Sequence, residues 1–242
     1  MWRWLVLAVA MAYPTALSWI YFIGLAQAQQ PGALTSAAPN PLVLAAYSLG
    51  KIVQFAFPLV WLWGIERRRL ALAAPNRKGM ALGIAFGLLV GAGTFAFYGF
   101  LRHYTGFLSG TADRLRVKIQ EFGIGTPSAY IAFAIFLSVA HSFLEEYYWR
   151  WFVFGSLRER LPLAAAISLA SLAFMAHHVV ILGVYFPGRF WSLAMPLSVG
   201  VGVGGAIWAW LYERSGSICA CWLSHLLVDA AIMAVGYNLA FG

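Results

Sequence analysis

Apolar residues in this chain run in long unbroken stretches, and most polar residues fall between those stretches. A helix needs about 20 predominantly apolar residues to cross a bilayer. Seven stretches meet that length, at 4–26, 42–65, 79–101, 130–157, 163–186, 190–212 and 218–240. A transmembrane β-barrel would instead show short segments of alternating polarity. The pattern therefore predicts an all-α, polytopic transmembrane helical bundle of seven spans, with no linker long enough to separate independent domains.

Composition agrees. With 62% hydrophobic and 10% charged residues among 242, no water-soluble fold could cover so much apolar surface. At the N-terminus, Arg3, an apolar run and Ala26-Gln27-Ala28 resemble a signal peptide with its cleavage site. The run from Trp4 to Leu25 is longer than the roughly 7–15 residues of a signal core, so a retained first helix is expected. Cys219 and Cys221 make neither a disulfide framework nor a C-x-x-C metal motif, and read as small buried thiols.

The net charge of +8 is spread between apolar runs and forms no single patch, so no nucleic-acid partner is expected. The loop from Gln29 to Pro41 is uncharged, whereas the next contains Glu66-Arg67-Arg68-Arg69 and Arg77-Lys78. Cytoplasmic loops carry excess Lys and Arg, which places the N-terminus inside. That orientation puts Arg3, Arg67, Arg68, Arg69, Arg77, Lys78, Arg158, Arg160 and Arg214 inside, nine basic residues in all. Five, namely Arg102, Arg114, Arg116, Lys118 and Arg189, fall outside.

Glycines add packing information. Gly83, Gly87 and Gly91 repeat a G-x-x-x-G spacing suited to close helix approach, inside the bundle or in a dimer. Gly200, Gly202, Gly204 and Gly205 are expected to serve close packing in the sixth span. Between spans three and four, Leu115, Ile119 and Phe122 share a helical face among charged neighbours. That fits a short amphipathic helix on the membrane surface or a solvated loop. The two halves show no repeat, unlike many transporters.

The chemistry lies in ionisable residues within apolar stretches. Glu145, Glu146, Asp229, His141, His177, His178 and His225 all occupy such positions. Each charge in a bilayer costs about 2.5–3.5 kcal/mol even on the lenient insertion scale, which points to a shared polar site inside the bundle. Glu146 and Arg150 are four apart and can pair on one helix face. Glu145, rotated by about 100°, is free to face elsewhere as a general base. His225 and Asp229 are also four apart and can converge on one point, or Asp229 can orient the imidazole. His177, next to His178, is expected to point away and be structural. His141, one turn before Glu145, suits either tuning or packing. Ser224 lacks the G-x-S-x-G setting of a serine nucleophile.

Three of these groups form a recognisable set. Glu145-Glu146-Tyr147-Tyr148-Trp149-Arg150 matches E-E-x-x-x-R, Phe174-Met175-Ala176-His177-His178 matches F-x-x-x-H, and His225-Leu226-Leu227-Val228-Asp229 matches H-x-x-x-N/D. In that order, on successive apolar helices, they resemble the CPBP (Abi) family of intramembrane proteases, which includes the CAAX prenyl endopeptidases. The resemblance covers about residues 128–242, a four-span core, and leaves 1–127 as three further spans and a surface loop.

The resemblance implies an intramembrane endopeptidase in a bacterial inner (plasma) membrane, acting on a membrane-anchored or lipidated substrate. It implies catalytic roles for Glu145, Glu146, His178, His225 and Asp229, with Arg150 and Phe174 in support. His178, His225 and Asp229 would hold one divalent metal such as Zn2+, or the histidines would stabilise the oxyanion with no metal; both remain open. Asp229 stands where many members have Asn, and Trp151 where many have Gly. A non-catalytic scaffold built on the protease fold and a proton-coupled transporter are the alternatives.

Overall fold

A computed structural model describes residues 2–24, 41–67, 73–104, 106, 108 and 110–242. Among the described residues, seven helices are long and apolar enough to cross a membrane. They are α1 (Trp2–Gly24), α2 (Ala45–Glu66), α3 (Arg77–Tyr104), α5 (Pro127–Arg158), α6 (Leu163–Tyr185), α7 (Phe190–Ser215) and α8 (Ile218–Phe241). One shorter helix, α4 (Thr111–Glu121), precedes α5. Among the described residues there is no strand. The expected spans match these at every position and differ at their ends by at most three residues. The Ala26-Gln27-Ala28 reading lies outside the described residues, as do Arg68 and Arg69.

Local signals set the helix ends. Thr126 caps α5 by accepting from the Ala129 amide at 3.3 Å, with Pro127 in the first turn where its missing N–H costs nothing. Ser217 does the same for α8 through the Cys219 amide. Gly216 closes α7 with a left-handed φ of 67°, a conformation natural to glycine.

Helix α5 runs through the core and meets α1, α2, α6, α7 and α8. It is not a uniform α-helix. Ser142–Glu146 is a single α-helical turn between wider π-helical stretches at Phe136–His141 and Tyr147–Phe154. Such insertions alter which way side chains face and occur often at functional sites. Val139, in the first of them, has its carbonyl bonded by the Trp222 indole N–H of α8 at 2.9 Å.

The glycine repeat of α3 serves packing inside the bundle. A methyl added at Gly83 would strike the Ala220 carbonyl of α8, and one at Gly87 would lie 2.8 Å from the Ser224 carbonyl. In α7 the expectation holds for two of four: Gly202 lies against Met175 and Gly205 against Phe174, while Gly200 faces open space and Gly204 meets only its own helix's Trp208. The segment before α5 is a helix: Ile119 is buried against Tyr130 and Ala240, and Arg116 donates to the Ala240 carbonyl at 2.9 Å.

Proline in α1 ties that helix to the core. Pro14 cannot donate to the carbonyl of Ala10, one turn earlier. The Tyr148 hydroxyl of α5 donates to that carbonyl instead, at 2.7 Å. Both cysteines are free, Cys221 fully buried and Cys219 partly so.

Candidate active site

Glu145 and Glu146 leave the α-helical turn of α5 in different directions and meet different partners. Glu146, with no exposed surface, lies 3.1 Å from Arg150 Nε and 2.7 Å from His225 Nδ1. A carboxylate can only accept, so His225 donates through Nδ1. The Arg150 guanidinium lies between two aromatic faces, 4.6 Å from the Phe174 ring centre and 5.0 Å from that of Trp208. Gly205 leaves room there; an added Cβ would sit 3.0 Å from the Phe174 ring and 3.6 Å from an Arg150 nitrogen.

Trp208 also stacks on His225, with centroids 4.2 Å apart and planes inclined by 18°. Its indole N–H donates to Ser224 Oγ at 2.9 Å. Ser224 thus braces Trp208, and its hydroxyl is engaged in the core.

Glu145 is 4% exposed, and its contacts are longer. One oxygen lies 3.7 Å from His177 Nε2, and the other 3.8 Å from His225 Nε2. His225 Nε2 is also 3.6 Å from Asp229, whose side chain keeps 23% of its surface exposed. The two carboxylates therefore share one imidazole, Glu146 on its Nδ1 side and Glu145 on its Nε2 side.

The second histidine beside Glu145 is the neighbour of the one expected. His177 faces the carboxylate and stacks on Trp149 with planes 2° apart, contrary to the reading that turned it away. His178 turns its Nδ1 to the Phe174 carbonyl at 3.0 Å and lies 4.1 Å, ring to ring, from His177. A carbonyl only accepts, so the Nδ1 proton of His178 is held there. His141 packs edge-on to Phe55 of α2. Trp151 stacks on Tyr147.

Glu145, Glu146, Arg150, Phe174, His225 and Asp229 thus form one cluster, and His178 joins it through Phe174 and His177. The proposed metal ligands fit a metal poorly. His178, His225 and Asp229 do not form a ligand set, and no three His, Cys, Asp or Glu side chains do among the described residues. A catalytic zinc needs three converging protein ligands.

Two residues of the site carried little signal. Trp208 and Trp149, which stack on the two histidines, look in sequence like any core aromatic. Lys51 of α2 is an ionisable residue inside an apolar stretch, which is a signal in itself.

Residues 127–231 match the family model described as Rce1-like, type II CAAX prenyl endopeptidase. That model is one of the CPBP/CAAX protease family, and the seven apolar helices make the chain an integral, multi-pass membrane protein. No curated protein and no solved structure gives a significant match.

Proposed function

We propose that the chain is an intramembrane endopeptidase that hydrolyses a peptide bond in a membrane-anchored or lipidated protein or peptide. The observation that carries this reading is Glu145: a buried carboxylate with an imidazole nitrogen 3.7 or 3.8 Å from each oxygen, within the family-matched segment. A water that bonds a carboxylate oxygen and an imidazole nitrogen at that separation reaches both.

In the proposed reaction Glu145 takes a proton from that water as the water oxygen adds to the scissile carbonyl carbon. The carbonyl electron pair moves to oxygen. The oxyanion is met by Nε2–H of a doubly protonated His225, whose Nδ1–H is fixed on Glu146. Protonated Glu145 then gives its proton to the amide nitrogen as the C–N bond breaks, leaving a carboxylic acid and an amine. Asp229 and His177 orient the imidazole and the carboxylate respectively, and Arg150 holds Glu146. No step runs through a metal.

In this reading residues 128–242 form the catalytic core and 1–127 support it. The nine-to-five distribution of basic residues supports a cytoplasmic N-terminus. The test compares wild type with Glu145→Gln on membrane extract, with and without a chelator, read by peptide mass spectrometry. New peptide termini should come from wild type alone, with cleavage about 10²–10⁴-fold slower in the variant. Identical peptide patterns from the two proteins would refute the reading.

A further inference from the structure

Three helix ends meet on one side of the membrane, away from the buried carboxylates. α1 begins at Trp2, α2 ends at Glu66 and α5 ends at Arg158, and because successive spans alternate in direction all three ends lie on the same side. Between them opens a cleft of about 220 Å³. Leu7 of α1, Trp61 of α2 and Phe152 of α5 give it apolar walls, and Arg3, Glu66 and Arg160 bring three charges to it.

Those charges are not locked on one another. Arg3 and Glu66 stand 3.9 Å apart, beyond hydrogen-bond distance. Arg3 lies over the Trp2 ring at 5.4 Å, and Trp2 meets Trp61 at 5.0 Å. Arg160 uses Nη1 on the Ser156 carbonyl and on Glu159, while its Nε and Nη2 make no hydrogen bond among the described residues. The depth is that of lipid headgroups. Arg3 opens one apolar span and Glu66 closes another, at the boundary where Trp and Arg side chains also concentrate. Trp2 and Leu5, in the first turn of α1, are half-exposed or more and offer an apolar flank to acyl chains.

The signs of the charges select the headgroup. Guanidinium groups match a phosphate through paired N–H donors. A carboxylate in the same cleft disfavours a plain anion and accepts from an ammonium. Phosphate and primary ammonium occur together, two carbons apart, in an ethanolamine headgroup. A choline headgroup has no N–H to donate, and a glycerol headgroup carries no cation.

We propose that this cleft binds an ethanolamine phospholipid of the adjoining leaflet, its phosphate on Arg3 and Arg160 and its ammonium on Glu66. The lipid joins α1 and α2, which lie outside the family-matched segment, to the end of α5. The proposal does not depend on the endopeptidase reading.

The test titrates the full-length protein in detergent micelles with dioleoyl phosphatidylethanolamine, phosphatidylcholine or phosphatidylglycerol and reads binding by native mass spectrometry. Glycerophosphoethanolamine serves as the headgroup without chains. Wild type should bind the ethanolamine lipid at least about tenfold more tightly than either other lipid, the worth of a hydrogen bond to a charged group. Glu66→Gln should bring the ethanolamine-to-choline ratio close to one. Arg160→Gln should weaken all three lipids by about tenfold, through loss of charged hydrogen bonds to the phosphate they share. Arg3→Gln, at a partly exposed position that should leave folding intact, should weaken them in the same way. Equal affinity for the three lipids, tightest binding of the glycerol lipid, or an unchanged ratio in Glu66→Gln would overturn the proposal. Glycerophosphoethanolamine binding as tightly as the lipid would also overturn it, by making this a site for a soluble zwitterion.

Discussion

Glu145 and Glu146 are chain neighbours of identical chemistry, yet one is clamped and the other is not. Glu146 has a guanidinium at 3.1 Å and an imidazole at 2.7 Å, and its guanidinium partner is itself held between two aromatic rings. Glu145 has only imidazole nitrogens at 3.7 and 3.8 Å. A carboxylate with charge-assisted partners at short range is committed to structure. One whose partners stand a little beyond bonding distance can still take up a proton. Bilayer burial alone does not make a carboxylate reactive; what matters is how completely its neighbours satisfy it.

The contrast can be broken at its strongest point first. Arg150→Met leaves Glu146 as a buried charge without its cation, and should lower stability by about 3–5 kcal/mol. Unfolding of the detergent-solubilised protein measures this. Adding Glu146→Gln should recover part of the loss; if it deepens the loss instead, Glu146 is held by other groups. On the Glu145 side, His177→Phe keeps a flat ring against Trp149 and removes the nitrogen facing the carboxylate. Activity should fall about 10–100-fold as Glu145 loses the group that orients it, with the unfolding midpoint little changed. Full activity would mean that His177 plays no part in orienting Glu145. The smallest effect is expected at Ser224→Ala, which leaves the Trp208 indole N–H unpaired and should lower stability by about 1–3 kcal/mol. Turnover should stay within a few-fold of wild type, whereas loss of all activity would revive a serine nucleophile.

The seven spans were legible because each is longer and more apolar than any soluble element requires, and the site's general position followed from charges that a bilayer disfavours. Spacing of four on a helix correctly paired Glu146 with Arg150 and His225 with Asp229. It failed at His177. Adjacent residues diverge by about 100°, which says that His177 and His178 face different neighbours and not which of them faces Glu145. The π-helical stretches around Glu145 have no proline or glycine within Tyr147–Phe154 to announce them, and only the bundle's packing reveals them. Lys51 was passed over because basic residues in this chain read first as topology signals. The aromatic enclosure of Arg150 and His225 could not be read, since Trp208 comes from a helix remote in sequence.

The glycine face of α3 and the histidine of α8 also bear on how the protein is made. His225 is contributed by α8, and α3 must keep its small-residue face open until that same helix reaches it. During synthesis, a nascent chain that has inserted six spans holds Glu145 and His177 without the imidazole that both carboxylates share. The proposed reaction centre therefore comes together only once α8 has inserted, and a polypeptide stalled before α8 lacks the group that links its two carboxylates.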